Sequence, residues 1–287
     1  MKYHLDYFTE KFRHFPRWLE LVVLGTTQGH FAFDFSDCGI DAANMSVATN
    51  SPVYHKAFLK KYRKRIKKGA VVLITLEYPI FLCGIRQRTE LNVQYARTLF
   101  GYHPVQPLRR QILYRLFPYH YVKSSLYEGL IADAKRNRIR NRLKTYEINY
   151  RVRQLIKGWE NETYPLKIEE YEYSKQTEVR RKRMDWSIRI IEDTILFCRT
   201  CGWKPVIVGL PYSEELNFVV SRDFVKDCFY SCITQIQSDT QISFLDYSTD
   251  SDFLSIQNYM DIWYLNDIGR KKITERVLKD LGMGNCI

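Results

Sequence analysis

The sequence lacks any segment built to cross a membrane. A span needs roughly 18–20 continuous apolar residues, and no run reaches that length. The opening stretch MKYHLDYFTEKFRHFPRW has no apolar core of the kind a secretory signal carries. Both absences predict a cytoplasmic chain, at most peripheral to a membrane. Histidine is scarce and confined: His4, His14, His30, His55, His103 and His120 are the six, and none follows. Any hydroxyl–histidine–carboxylate arrangement must therefore take its base from the first 120 residues. Several signatures are missing altogether. There is no G-x-G-x-x-G for a dinucleotide, no Gly-Lys-Ser/Thr phosphate loop, no H-E-x-x-H and no G-x-S-x-G elbow. No cofactor and no metal is expected. Internal repeats and low-complexity tracts are absent too.

What is present is a core. Apolar residues make up 45% of 287, enough to exclude global disorder, and aromatics reach 15%. Seven cysteines include Cys198 and Cys201, a C-x-x-C late in a helical stretch, and Cys228 and Cys232, four apart. A redox C-x-x-C opens a helix, where the dipole lowers the thiol pKa. This spacing instead predicts buried thiols, with a zinc site from the two pairs as the alternative.

Formal net charge is +12, from 44 basic and 32 acidic residues. KKYRKRIKK (60–68), RNRIRNRLK (136–144) and RRKR (180–183) carry much of the excess. Each run reads first as a solvated helix face. Such runs also suit phosphates, acidic glycans, an anionic membrane surface or a protein partner.

Strands are expected at 19–25, within 39–48, and at 70–79, 204–211 and 242–248. The runs LVVL, AVVLITL and PVIVGL are continuous rather than alternating, as in strands buried on both faces. A helix is expected over 51–69, capped by Ser51, with Pro52 in its first turn and Gly69 as its stop. Helices are also expected at 177–202, 214–236 and 266–282. In the last, Ile268, Ile273, Val277 and Leu281 form the apolar face, and Asn266 or Asp267 is the cap. The stretch 84–176 is rich in Arg, Tyr and Lys and poor in strand signals. It reads as an α-helical insertion or subdomain, with helices near 89–100, 107–117, 123–136 and 145–158, and loops over 161–165 and 167–176. An α/β domain over 1–83 and 177–287 completes the chain. Alternating strands and helices imply a mostly parallel sheet covered on both faces.

Ligands of such sheets bind beyond the carboxyl ends of the strands. That directs attention to GTTQGH (25–30), to Asn44 and Ser46, to Glu77 and Tyr78, and to the loops after Leu210 and Asp246. Late in the chain, YMDIWYLNDIGRKKIT (259–274) sets Asp261 and Tyr264 three apart before the last helix. The plain reading of this segment is a capped helix start with aromatic packing. His30, three residues after Thr27, reads first as a local packing or hydrogen-bonding residue.

A first strand ending in Gly-Thr-Thr, a later VIVGLP strand and a terminal D-x-x-Y-L-N-x-x-G-x-x-x-x-T together resemble the SGNH (GDSL-like) hydrolase superfamily. The likeness is to its branch in bacterial surface-polysaccharide and teichoic-acid modification. It covers about 1–80 and 177–282. It implies a three-layer, flavodoxin-like fold. Members of that branch often show Gly-Ser-Ser-His after the first strand and Asp-x-x-His-Leu-Asn-x-x-Gly before the last helix. By this resemblance Thr27 stands at the nucleophile, Gln28 where a histidine often follows it, Asp261 at the acid and Tyr264 at the catalytic histidine. Glu77 stands near the position of an oxyanion-binding Asn, with Asn44 and Asn266 as supporting residues. The acid matches, the nucleophile is altered and the base is lost.

That loss matters chemically. A hydroxyl needs an adjacent base to act as a nucleophile near neutral pH. A phenol with a pKa of about 10 is a poor one, and the threonine methyl crowds attack on an ester. Rescue by His30 or Glu77 has no spacing argument in its favour. The leading expectation is a catalytically degenerate SGNH-like protein binding a glycan, an acyl-bearing ligand or a partner. An atypical esterase or O-acyltransferase using Thr27 is the second. A basic nucleic-acid-binding protein is the third, motivated by charge and tyrosines.

Overall fold

A computed structural model describes residues 10–47, 51–83, 89–121, 145–163, 168 and 178–284. The expected helix at 123–136 lies outside the described residues, as does most of the expected loop at 167–176.

Five strands form one all-parallel sheet: β1 (Leu19–Leu24), β2 (Ala42–Asn44), β3 (Ile66–Leu76), β4 (Lys204–Gly209) and β5 (Ser243–Asp246), in the order β2-β1-β3-β4-β5. The helices that position the site are α1 (Thr27–Ala32), α2 (His55–Tyr62), α3 (Thr89–Thr98), α4 (Leu108–Leu116), α5 (Pro118–Tyr121), α6 (Thr145–Thr163) and α7 (Glu178–Thr200). After β4 come α8 (Glu214–Val219), α9 (Arg222–Val225), a π-helical turn at Lys226–Tyr230 and α10 (Ser231–Thr240), and α11 (Asp267–Asp280) follows β5.

Strand alternation sorts β1 between two layers. Val22 and Leu24 face a core shared with Phe58 of α2, Ile191 and Ile195 of α7, and Ile233 of α10. Leu21 and Val23 face a second core shared with Ala32 of α1 and Ile273 and Val277 of α11. The expected three-layer α/β architecture is therefore present. Each fully buried aliphatic side chain contributes roughly 1.5–3 kcal/mol. Truncating Ile195, which is fully buried on α7, would cost about 2–5 kcal/mol.

Several boundaries differ from the sequence expectation. The helix expected over 51–69 is a 3-10 turn at Pro52–Tyr54, then α2, then a second 3-10 turn at Arg63–Arg65. β3 takes over at Ile66 because the basic tail has partners in the sheet. Ile66 pairs with Leu19, and Lys67 meets Glu20 at 2.7 Å. Gly69, at φ 84°, lies within the irregular stretch between the Leu19–Ile66 and Leu21–Val71 pairs. Ser51 makes no side-chain cap; its hydroxyl is buried without a hydrogen-bond partner. The helix expected at 214–236 is broken at Val220, since Ser213 and Ser221 each cap a separate start. Helix α6 runs through Thr163, past the expected loop start. Asn266 caps α11, accepting from the Ile268 and Gly269 N–H groups at 3.0 Å. Ile268 is 65% exposed rather than on the apolar face. Among the described residues, no helix is long and apolar enough to cross a membrane.

Candidate functional site at the strand ends

The sheet order reverses direction at β1, so the carboxyl ends of β1 and β3 flank the crevice where such folds bind ligands. The turn after β1 sits hard against β3. Thr75 Oγ donates to the Leu24 carbonyl at 3.0 Å. A Cβ on Gly25 would lie 1.9 Å from that oxygen, and one on Gly29 would lie 2.4 Å from it. The two glycines of GTTQG thus permit close approach of α1 to the sheet; neither has a positive φ.

Thr27 opens α1 and is partly exposed, while Thr26 before it is extended and makes no side-chain cap. Gln28 is buried, and its Nε2 donates to the Pro211 carbonyl at 3.1 Å, tying α1 to the loop after β4. Its Oε1 is buried without a hydrogen-bond partner. Asn44, at the end of β2, donates to the Gly29 carbonyl at 2.9 Å, and its Oδ1 accepts from Ser46 N–H at 3.0 Å.

His30 has a neighbour that the sequence did not suggest. Lys11, from the 3-10 turn Glu10–Arg13, places Nζ 2.9 Å from His30 Nδ1 and also donates to the Ser46 carbonyl. His30 Nδ1 lies 3.2 Å from the same carbonyl. A single Nδ1 either accepts from the amine or donates to the carbonyl. An ammonium at Lys11 is satisfied by the first arrangement, with the ring proton on Nε2. Burial, and secondarily the Arg270 charge, push the Lys11 amine down to about 7.

The segment before α11 is a tight reversal. Tyr259 and Leu265 form an antiparallel bridge, and Met260 N–H donates to the Tyr264 carbonyl at 2.9 Å. Asp261 Oδ1 accepts from its neighbour Ile262 N–H at 2.8 Å, and Oδ2 lies 4.0 Å from Arg151 of α6. Burial raises the Asp261 pKa, partly offset by that hydrogen bond and by Arg151. The Tyr264 ring packs 5.1 Å from Phe31, one turn beyond Thr27 on α1, and 4.6 Å from Trp263.

These contacts belong to a continuous row of rings. From Tyr264 and Trp263 it passes to Trp159 of α6 (5.6 Å), to Tyr212 after β4 (6.3 Å) and to Tyr78 after β3 (4.3 Å). Tyr78 N–H donates to the Tyr212 hydroxyl at 3.0 Å. Glu77 is buried beside this pair, and its charge adds to the burial and the Tyr78 effect that hold the Tyr212 phenol protonated. A hollow of about 110 Å³ opens between Phe31, Met260, Leu265, Asn266 and Arg270.

The residues singled out in the sequence therefore fall into four places. Thr27, Gln28, His30 and Asn44 gather around α1. Tyr264 packs against the same helix. Asp261 engages α6, and Glu77 lies at the end of β3. Asn266 serves as a helix cap. The sequence reading missed Lys11, Arg151, Trp159 and Tyr212; only Tyr212, directly after the VIVGLP strand, carried a positional signal. Among the described residues no group of three or more His, Cys, Asp or Glu side chains is placed to hold a metal ion. Burial pushes the Cys198 and Cys232 thiols up to about 12, so both are held as thiols. Cys38 is disulfide-bonded. No protein-family model matches the chain, and no curated protein matches it.

Proposed function

We propose that this chain is an SGNH-hydrolase-like protein, catalytically degenerate, that binds a glycan or an acyl-bearing ligand in bacterial cell-surface polysaccharide biosynthesis or modification. The sheet order and the motif positions support the fold relationship. The observation that carries the loss of triad chemistry is the setting of Asp261 and Tyr264. The carboxylate is occupied by the Ile262 N–H and faces Arg151, while the ring at the base position packs on Phe31 and Trp263. A triad acid instead orients a base and stabilises the charge it gains. The hollow beside Phe31, at about 110 Å³, is also well below the roughly 300–1,000 Å³ of small-molecule sites. Recognition then falls to the aromatic rim, whose partly exposed rings Phe31, Trp263 and Tyr264 offer stacking faces to a sugar. Glycan-array binding by the full chain tests this. Specific binding that falls when Trp263 is changed to Ala is expected, and no retained glycan contradicts it.

One observation favours a second reading. The Lys11 amine, brought down to about 7, lies 2.9 Å from His30 Nδ1. An amine in that state is a competent base for a hydroxyl nucleophile. In an atypical acyl transfer, the Thr27 hydroxyl would attack the ester carbonyl, its proton passing to this pair. The alcohol would leave with that proton, and the acyl group would move on to an acceptor hydroxyl. Intact-mass analysis after incubation with an activated acetyl ester separates the readings. An acetyl adduct on Thr27 that disappears in Lys11→Met supports transfer; an unmodified Thr27 supports degeneracy.

A further inference from the structure

A second cleft, of about 400 Å³, is walled by Arg13, Lys61, Arg97 and Arg115 beside Phe12 and Tyr62. None of the described residues lining it is acidic. Four separate segments deliver the four cations: the first 3-10 turn, α2, α3 and α4. The volume falls within the roughly 300–1,000 Å³ of small-molecule sites.

The cleft is held in shape from several sides. Phe12 stacks on Phe58 at 4.9 Å and on Tyr62 at 5.7 Å. The Arg115 guanidinium lies 4.9 Å from the Phe100 ring centroid. Lys61 belongs to the basic run 60–68, yet it does not simply point to water. Its amine donates to the Thr98 carbonyl, and burial and the Arg115 charge both lower its pKa. Cationic groups from four segments converge on one hollow, a geometry that suits an anion with several oxygens. Guanidinium groups match phosphate oxygens bidentately.

We propose that this cleft binds a phosphate-bearing ligand, with Arg13, Lys61, Arg97 and Arg115 on the phosphate oxygens and Phe12 and Tyr62 against the rest of the molecule. A single carboxylate offers two oxygens and one charge. A phosphate monoester offers three acceptor oxygens and close to two charges, and a diphosphate offers more. The site is distinct from the strand-end crevice: Lys11 faces His30, while its neighbours Phe12 and Arg13 face this cleft. The phosphate belongs either to a soluble ester or diphosphate or to a lipid headgroup.

The test titrates inorganic pyrophosphate into the full chain by calorimetry. Saturable binding is expected, weakened about tenfold or more in the double variant Arg13→Gln/Arg115→Gln. Both positions are exposed, and an unchanged thermal midpoint without ligand checks that the variant keeps its fold. Arg181→Gln/Lys182→Gln removes the same charge from exposed positions on α7 and leaves binding nearly unchanged. A pyrophosphate-induced rise in the wild-type thermal midpoint, absent with chloride at equal ionic strength, reads the same binding without substitution. Sedimentation with phosphatidylcholine vesicles carrying phosphatidic acid separates the sources. Pelleting that pyrophosphate competes away identifies a headgroup site; pyrophosphate binding without pelleting identifies a soluble ligand. Absence of saturable binding to either probe overturns the proposal, as does equal weakening in the two double variants.

Discussion

The Lys11 amine lies 2.9 Å from His30 Nδ1 and donates at the same time to the Ser46 carbonyl. This contact joins the 3-10 turn Glu10–Arg13 to the helix that follows β1. It also brings a partly buried amine to the edge of the strand-end crevice, where the Arg270 charge acts on it.

A pH dependence follows from that burial. The Lys11 amine falls from its ordinary 10.5 to about 7 in the folded chain. Between those values the unfolded chain holds a proton that the folded chain has released, so this group's contribution to stability rises with pH. The gain is complete above the unfolded value and is lost as pH falls toward 7. Lys11→Met removes the dependence. The stability difference between wild type and Lys11→Met, from urea titrations at pH 7 to 9.5, should rise by up to about 1.4 kcal/mol per pH unit. A flat difference would show that the amine is protonated normally.

Asp261 shifts in the other sense. Its folded pKa is raised, so the neutral acid is favoured on folding. That stability is present below the unfolded carboxyl pKa and is lost as pH rises through the folded one. Asp261→Asn keeps an acceptor for the Ile262 N–H and removes a charge that is costly to bury. It should leave stability within about 1 kcal/mol of wild type at pH 7, or raise it. Its benefit over wild type should shrink as pH falls through the folded pKa. A loss above about 3 kcal/mol would mean that the Arg151 contact outweighs desolvation.

Gly25 and Thr75 should be energetically coupled. Gly25→Ala sets a methyl where Thr75 Oγ stands and should cost about 1–3 kcal/mol through overpacking. In a Thr75→Ala background the same change should cost clearly less. Equal costs in both backgrounds would remove the close-approach account of this glycine.

The aromatic row predicts that α6 depends on the rim. Trp159 is buried between Trp263 and Tyr212. Trp159→Ala should cost about 3–5 kcal/mol and speed amide exchange at Leu155 and Ile156 ahead of the sheet. Unchanged exchange in α6 would place its anchorage elsewhere.

Strands β1 and β4 were legible because continuous apolar runs between turn signals suit strands buried on both faces. The last helix was legible from Asn266 and the apolar spacing of Ile273 and Val277. Misreadings arose where a distant partner decides the local outcome. Lys67 looked like the end of a helix, yet Glu20 and the pairing of Ile66 with Leu19 draw it into β3. Gly25 does stand at the end of β1, but the close approach of the Thr75 hydroxyl that requires glycine there has no local signal. Ser221 splits a helix that periodicity alone would continue. Lys11, Arg151 and Trp159 reach the crevice from segments without a local motif, so only tertiary structure brings them there.

Ester turnover tests the central claim most directly. Hydrolysis of p-nitrophenyl acetate and of an acetylated glycan is measured for the wild type, Thr27→Ala and Asp261→Ala. A degenerate crevice predicts the same low rate in all three. A wild-type rate that drops about a hundredfold or more in either variant would contradict it and make Thr27 a working nucleophile.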